Sequence, residues 1–282
     1  MVRARLTVGF LLVSTLAGCG TYVPQISDWP DSKGQLGTAM VNAIVHSVEC
    51  ELKHTITTVV DNDVRAAKSR ASRRTYTDYL NDWGAEVAFT FTIVEKSGVN
   101  PTGVWAPISP ASAVFTLGGD LNLSSQATRM EKLNFIYRVK DLYLRPGQSC
   151  DASSEDPSGS FLIRNDLKIG ELFDFRTIAS TTAHAPGPIP TGDKNVMQHQ
   201  ITFQVVSSGG LTPTWQLLRG SVNSSGTFLS GSRDRTHDLL ITFGPLDKPS
   251  GGRSLIGIAE ATHVSSQLSG GIGAAFRSAV GR

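Results

Sequence analysis

Three side chains that could bind a metal recur at intervals of four residues, namely His46, Cys50 and His54. On a helix this spacing places them in one row, because residues four apart are neighbours on the helix surface. Imidazole and thiolate in such a row could hold zinc or copper, given a fourth ligand from elsewhere in the chain. The competing interpretation uses the same sulfur in a disulfide, and a bridged sulfur is not a thiolate ligand.

The cysteine count favours the disulfide. Apart from Cys19, the chain contains only Cys50 and Cys150. Two such cysteines in an oxidising compartment are typical of a structural disulfide, which here would close a loop of about a hundred residues. We therefore predict a Cys50–Cys150 bond and no metal, with the histidine and cysteine row as the alternative.

Two further histidines could take part in proton transfer. His199 lies just before a strand-like segment and His237 lies inside another, so the two could approach each other across a sheet. Separate surface histidines are the competing interpretation. The neighbours His237 and Asp238 would point to opposite faces of a strand and could not relay a proton. The sequence contains no Gly-x-Ser-x-Gly elbow, phosphate-binding glycine loop or His-Glu-x-x-His motif. We therefore predict no catalytic residues and no cofactor.

The densest positive cluster after the N-terminal region lies within residues 65–74. It consists of Arg65, Lys68, Arg70, Arg73 and Arg74. Such a cluster could contact anionic headgroups or lipopolysaccharide phosphates, each basic residue contributing about 1 kcal/mol near the surface. A solvated helix face or loop is the alternative, because acids resume at Asp78. No aromatic stacking platform accompanies the cluster, so we expect no nucleic-acid partner.

The N-terminal residues contain a candidate export signal. Arg3 and Arg5 precede an apolar run at residues 6–13, which is followed by Leu16-Ala17-Gly18-Cys19. A cationic start, a short apolar segment and a small-residue cleavage site are typical of an export signal. The final four residues resemble the lipobox of bacterial lipoproteins. That resemblance implies that residues 1–18 are removed and that Cys19 carries the fatty acids, including palmitate.

The resemblance sets the expected location and charge of the mature chain. Gly20 stands where an inner-membrane retention signal of enteric bacteria would have Asp, so we expect the periplasmic face of the outer membrane. Removing the signal leaves 24 basic and 24 acidic residues, so the sequence pI near 8.5 gives no reason to expect a nucleic-acid partner. No other segment has the roughly 18 apolar residues that a spanning helix needs.

The first long element is predicted to be a helix. Residues 19–35 contain two prolines and no periodicity, which predicts a tether between the lipid and the folded body. From Leu36 to Val59, apolar residues recur at three- and four-residue steps, as on one side of a helix. A β-branched run at residues 55–60 is expected to weaken its last turns.

An internal repeat provides the main evidence about the fold. Residues 90–102 are echoed 112 residues later by residues 202–214, and each copy is closely followed by a tryptophan, Trp105 or Trp215. Residues 129–137 and 235–243 also match, and in both segments the apolar residues alternate. Each copy therefore predicts antiparallel strands with one buried face.

The sequence thus predicts a β-rich α+β fold with two related modules of antiparallel strands, each preceded by a helix. The modules span residues 36–149 and 161–248, with a linker at 150–160 and a Gly/Ala/Ser-rich tail at 249–282. An extra hairpin in the first module, residues 113–123, is expected to turn at Gly118-Gly119-Asp120. Glycines at 270, 271 and 273 predict a weak, loosely held helix or a partner-docking segment in the tail.

These features favour a non-enzymatic envelope lipoprotein that binds another protein or a cell-wall component. Duplicated sheets offer edges and faces for docking. Trp105 and Trp215 are the candidate contact residues, although tryptophans buried in the core would fit the same pattern. A lipid or small-ligand binding protein is the first alternative, and a periplasmic hydrolase is the second. The sequence identifies neither the partner nor the oligomeric state.

Overall fold

The computed structural model describes residues 23–26, 35–69, 75–108, 114–144, 150, 166–181, 196–217, 220–223 and 226–280. Its helices are α1 (Gln35–Ser69), a 3-10 helix (Asp78–Asp82), α2 (Val139–Leu144), α3 (Ile169–Thr181) and α4 (Gly257–Val280). Its strands are β1 (Trp83–Val99), β2 (Thr102–Trp105), β3 (Leu117–Asp120), β4 (Leu123–Arg138), β5 (Met197–Leu211), β6 (Trp215–Leu217), β7 (Gly220–Val222) and β8 (Leu229–Pro245). None of the helices in these ranges has the length and apolar character needed to cross a bilayer.

The strands form two antiparallel four-stranded sheets, so the predicted α+β fold is confirmed. The large sheet has the order β4-β1-β8-β5, and the small sheet has the order β3-β2-β7-β6. Helix α1 precedes the strands of the first repeat, and α3 precedes those of the second, as predicted. Each sheet contains strands from both repeats, which the sequence analysis did not anticipate.

The repeated segments occupy equivalent positions in the large sheet. An offset of 112 residues relates β1 to β5, and an offset of 106 relates β4 to β8. A Cβ on Gly98 would lie 3.7 Å from Leu123 O, and a Cβ on its counterpart Gly210 would lie 3.3 Å from Leu229 O. Leu229 is itself the counterpart of Leu123. The two long hairpins therefore share the same strand register as well as similar sequences.

The predicted turn at Gly118-Gly119-Asp120 is wrong, because these residues belong to strand β3. Gly118 pairs with Val104, Gly119 with Gly103, and Asp120 with Thr102. Glycine disfavours strands only weakly, and here hydrogen bonding to β2 decides the conformation. The chain instead changes direction after Asp120, where Leu121 N donates a hydrogen bond to Pro101 O at 3.0 Å.

Helix α1 carries the predicted apolar stripe. Met40, Ile44, Val48, Leu52 and Ile56 are fully buried. The β-branched run at 55–60 does not end the helix, which continues to Ser69. Packing against α2 and α3 outweighs the weak intrinsic preference of those residues.

The described chain divides into two compact units. Unit 1 comprises Met1–Ile26, Phe91–Glu131 and Gln204–Thr236, and unit 2 comprises Ser27–Thr90, Lys132–Phe203 and His237–Arg282. Each unit is assembled from three separate ranges of the chain. The sequence boundaries at 36–149 and 161–248 therefore remain a predicted division of the repeat.

Unit 2 contains most of the buried apolar side chains of the described residues. Trp83, Phe89, Phe173 and Phe243 are among its largest fully buried side chains. The rings of Phe173 on α3 and Phe243 on β8 meet edge to face, with centroids 4.8 Å apart. Alternation along β1 and β8 places Trp83, Phe89 and Phe243 on the face of the sheet against which Phe173 of α3 packs.

Helix α4 belongs to this packed unit. Ala259 and His263 are buried one turn apart on the helix, Leu255 is buried just before it, and a Cβ on Gly244 would lie 2.8 Å from Ala259 Cβ. The helix continues without interruption through Gly270 and Gly271. The expected loosely held terminus is therefore wrong for the first turns of α4, since close packing on β8 compensates for poor helix formers.

Candidate functional site

Trp105 and Trp215 lie on one face of the small sheet in unit 1. Trp105 ends β2 and pairs with Gly220 of β7, whereas Trp215 begins β6 and pairs with Val222 of β7. Opposed residues of an antiparallel pair share a face, and so do residues two apart on one strand. Because Gly220 and Val222 are two apart, the two tryptophans lie on the same face, on either side of β7.

Glycine forms the floor of this face beside the rings. Gly103 pairs with both Gly119 and Val222, and Leu117 pairs with Trp105. A Cβ at Gly103 or Gly119 would meet no atom within 4 Å, so the backbone there is open on its outer side. We define the tryptophan face as Gly103, Trp105, Leu117, Gly119, Trp215 and Val222.

Both tryptophan rings are exposed, which excludes the alternative of core tryptophans. Trp105 is 54% exposed and Trp215 is 47% exposed. Each ring has an aromatic neighbour at its edge: the centroid of Phe115 lies 6.5 Å from that of Trp105, and the centroid of Phe228 lies 5.7 Å from that of Trp215. These T-shaped contacts restrict the rings and leave apolar surface for a ligand.

Asn223 positions the strand between the tryptophans. It has a φ of 54°, a left-handed conformation that asparagine adopts more readily than most residues. Its backbone N–H donates to Thr102 O and its Nδ2 donates to Pro213 O, both at 2.6 Å. The residue thus connects the end of β7 to the first residue of β2 and to the segment that precedes β6.

The N-terminal segment is held on the same unit. Pro24 is buried, and its carbonyl accepts a hydrogen bond from Arg129 Nη1 at 3.2 Å. The carbonyl of Gln25 accepts one from Arg233 Nη2 at 2.6 Å, and Arg233 also pairs with Glu95 at 3.1 Å. Part of the predicted tether at 19–35 is therefore attached to unit 1. Cys19 and the signal at 1–18 lie outside the described residues.

The predicted disulfide is present in unit 2. Cys50 and Cys150 are bonded, and they are separated by 100 residues in sequence. The sulfur is therefore not available as a thiolate, and the alternative metal site of His46, Cys50 and His54 is wrong. His46 Nε2 lies 3.8 Å from Cys50 Sγ, while His54 is exposed. Within the described ranges, no three His, Cys, Asp or Glu side chains are grouped so that they could hold a metal ion.

The remaining candidate residues lie in different surroundings. His199 Nε2 is hydrogen-bonded to Leu167 O at 2.7 Å, and His237 is buried on β8. Arg65 contacts Asp61 O at 3.2 Å and Asn62 Oδ1 at 2.7 Å on its own helix, and Lys68 is exposed near the end of that helix. The other three basic residues, Arg70, Arg73 and Arg74, lie outside the described residues.

A polar network beneath α4 was not foreseen. His263 is 1% exposed; its Nδ1 lies 2.7 Å from Thr242 Oγ1, and its Nε2 lies 3.0 Å from Gln267 Nε2 and 3.8 Å from Glu86 Oε1. Gln198 Nε2 donates to Thr242 Oγ1 at 3.0 Å. The sequence signal that could have placed His263 on the packed side of a helix is its spacing of four and eight residues from apolar Ala259 and Leu255.

Burial shifts the pKa values of the two titratable groups of this network in opposite directions. It lowers the pKa of the His263 imidazole, because the protonated ring would lose its hydration. It raises the pKa of the Glu86 carboxyl, and the nearby negative charge of Glu260 raises it further. Both groups therefore favour their neutral forms. Ser266 Oγ donates to Gln198 Oε1 at 2.9 Å, so this hydroxyl is used to hold the helix on the sheet.

The chain matches none of the known protein-family models and none of the curated protein sequences with which it was compared. The site must therefore be interpreted from its own geometry. The tryptophan face combines exposed aromatic rings, open backbone and a fixed strand frame, whereas the polar network is buried beneath a helix. The first arrangement is suited to binding and the second to holding α4 in place.

Proposed function

We propose that this chain is a lipid-anchored protein of the bacterial cell envelope that binds another envelope protein through its tryptophan face. The observation that carries this proposal is the exposure of Trp105 and Trp215 on one face of the small sheet. Large aromatic side chains are enriched in binding interfaces because they remove much apolar area from water for little conformational entropy.

The attachment of residues 24–26 to unit 1 supports an anchored arrangement. Cys19 precedes Pro24 by five residues, and an extended chain spans at most about 3.3–3.6 Å per residue. A lipid on Cys19 would therefore lie within about 18 Å of Pro24. The proposed anchor and the tryptophan face belong to the same unit.

The proposed role is binding and not catalysis. The tryptophan face offers indole rings, aliphatic side chains and glycine backbone, and none of its six residues titrates near neutral pH. Such a surface can bury apolar area and accept or donate single hydrogen bonds. It provides no general acid, general base or nucleophile.

Cross-linking in intact cells tests the proposed interface. We expect the full chain to form a cross-linked adduct with one envelope protein, and the Trp105→Ala/Trp215→Ala variant to lose it at least tenfold. Phe175→Ala is the matched control, because Phe175 is also an exposed aromatic residue but belongs to α3 in unit 2. If the double variant remains folded and retains every adduct of the parent chain, the tryptophan face is not the interface.

The anchor is tested separately with Cys19→Ser. We expect this variant to leave the membrane fraction while retaining the folded body, because it lacks the sulfur that would carry the lipid. Fractionation of the variant with membranes at the parent's full yield would contradict the proposed lipidation. This result would leave the tryptophan-face proposal to be judged by its own cross-linking experiment.

The glycine floor favours a second candidate, which is a small ligand with a flat ring. Gly103 and Gly119 leave backbone open beside the indoles, and a ring could stack there with little steric hindrance. Native mass spectrometry of the full chain purified from its envelope would show such a ligand as a constant added mass. Its absence, together with a protein adduct, would leave the protein interface as the function.

A further inference from the structure

We propose that copies of this chain associate edge to edge, with strand β5 of one copy pairing antiparallel with strand β4 of the next. Strands β4 and β5 are the two outer strands of the large sheet, and each has one hydrogen-bonded neighbour strand among the described residues. Outer strands present backbone N–H and C=O groups that a further strand can pair with. The internal repeat identifies a second copy as the occupant.

The strand order shows that the sheet already contains one example of this contact. Since β5 is the counterpart of β1 and β8 is the counterpart of β4, the order β4-β1-β8-β5 is one two-strand unit followed by its repeat. The pair β1–β8 is the seam between the repeats. A β5–β4 contact between molecules would reproduce that seam, with each strand replaced by its counterpart.

The seam has a fixed register. Asn100 N donates to Phe228 O at 2.8 Å at one end, and Leu246 N donates to Asp82 O at 2.8 Å at the other. Both hydrogen bonds belong to one register, in which Phe89 lies opposite Leu239. Replacing these residues by their counterparts places Ile201 of one copy opposite Leu133 of the next. In the same register Met197 lies opposite Tyr137, so the strands overlap along their lengths.

The side chains brought together in this register are compatible. On the face that carries Ile201 and Leu133, His199 would lie opposite Phe135, which is 38% exposed at its edge. On the other face, Gln200 would lie opposite Asn134 and Thr202 opposite Lys132. Met197 and Ile201 thus lie opposite aromatic or apolar side chains, and Gln200 and Thr202 lie opposite polar ones, whereas Gln198 lies opposite Ile136. No like charges are opposed between residues 197–202 and 132–137.

The small sheet independently has the same kind of order. In β3-β2-β7-β6, the hairpin β2–β3 of the first repeat is followed by the pair β6–β7 of the second. Its two outer strands, β3 and β6, are therefore also unlike each other. Unlike edges produce head-to-tail association, which grows into a filament or closes into a ring, and does not stop at a dimer with two-fold symmetry.

Paired cysteines test the contact in the full chain. The variant Ile201→Cys/Leu133→Cys places the new thiols in a non-hydrogen-bonded pair of the proposed register, where Cα atoms lie about 4.5 Å apart. Within one molecule, β5 and β4 are separated by two strands, or about 14 Å, so these thiols cannot bond to each other. After oxidation with copper phenanthroline, we expect a ladder of dimers, trimers and larger species.

The matched control is Ile201→Cys/Asn134→Cys, in which the second thiol lies on the opposite face of β4. The parent chain controls for cross-linking through Cys19. A ladder at least fivefold stronger for the in-register pair, with a peptide linking positions 201 and 133 identified by mass spectrometry, supports the contact. Equal ladders from the two pairs, or a ladder from neither, would overturn it.

A charge exchange provides a second test that needs no cysteines. Thr202→Lys would oppose Lys132 of the next copy, and we expect it to weaken association at least fivefold in sedimentation velocity. Adding Lys132→Glu in the same chain should restore association, because the opposed charges then attract. A parent chain that sediments as a monomer up to 100 µM in detergent solution would disprove the proposal, even if the cysteine variants fail to fold.

Discussion

Units 1 and 2 use the same four long strands in contrasting ways. In unit 2 the strands are covered by helices, and Trp83, Phe89 and Phe243 are fully buried. In unit 1 the buried apolar side chains of the described residues are few, and they include Ile26, Phe91 and Ile93. Exposed apolar side chains are numerous there, and they include Trp105, Trp215 and Phe115.

The contrast separates stability from recognition. Burial of large apolar side chains is the main favourable term in folding, and it is concentrated in unit 2. An exposed apolar surface is a cost in water unless a partner or ligand covers it. We therefore expect substitutions in unit 2 to change the free energy of unfolding and substitutions on the tryptophan face to change binding.

The largest expected effect is the loss of a core aromatic ring. Phe243→Ala should lower the free energy of unfolding by about 3–5 kcal/mol, because it leaves a cavity beside Phe173. Urea unfolding followed by circular dichroism measures this change. Phe115→Ala in unit 1 is the matched control and should cost less than about 1.5 kcal/mol, since Phe115 is 54% exposed. Similar losses in both variants would show that the two units do not differ in how much a large aromatic side chain stabilises them.

Removal of the disulfide should have the next largest effect. Cys50→Ser/Cys150→Ser deletes a bond that closes a loop across 100 residues of sequence, which restricts the unfolded chain. We expect a loss of about 2–4 kcal/mol in the free energy of unfolding. The Trp83 side chain is buried in the same unit, so its fluorescence can follow the transition. No shift in the urea midpoint of the double variant would show that the bond does not restrict the unfolded chain as expected.

The fold class was predictable because its signals are local. Alternating apolar residues indicated the long strands, helical periodicity indicated α1, and two matching segments indicated duplication. The strand order was not predictable, because pairing between distant strands leaves no pattern in a short window. The turn predicted at Gly118 and Gly119 was wrong for the same reason, because pairing with β2 outweighs their local preference for a turn.

The candidate site was predictable by residue but not by environment. The repeat identified Trp105 and Trp215, whereas their common face follows only from the register of both with β7. His263 was missed because glycine, alanine and serine dilute the periodicity of α4. The row of His46, Cys50 and His54 has the spacing of a metal site, but the bond to Cys150 excludes it.

The polar network beneath α4 predicts how the stability of unit 2 depends on pH. Burial lowers the pKa of His263 in the folded state below the ordinary 6.5, so the unfolded state binds this proton more readily. The stabilisation due to neutral His263 is therefore present above pH 6.5 and is lost as the pH falls below it. The slope is at most about 1.4 kcal/mol per pH unit for one group.

Glu86 acts in the opposite sense. Its folded-state pKa is raised above 4.5, so its contribution to stability is lost as the pH rises from 4.5 through that raised pKa. The two effects therefore oppose each other as the pH falls from 6.5 towards 4.5. Over that range the urea midpoint of Glu86→Gln should decrease more, or increase less, than the midpoint of the parent chain, and the midpoint of His263→Gln should change in the reverse sense. An unchanged profile in His263→Gln would show that another group causes the dependence.

The smallest expected effect on stability comes from the residues with the largest expected effect on binding. Trp105→Ala and Trp215→Ala each remove a half-exposed ring and one edge-to-face contact, which should cost about 0.5–1.5 kcal/mol. Urea unfolding of each variant measures this loss, and Val222→Ala on the same face is a control for a smaller side chain. A loss of 3 kcal/mol or more would mean that the rings stabilise the fold of unit 1. Their exposure would then not be evidence that they bind a partner.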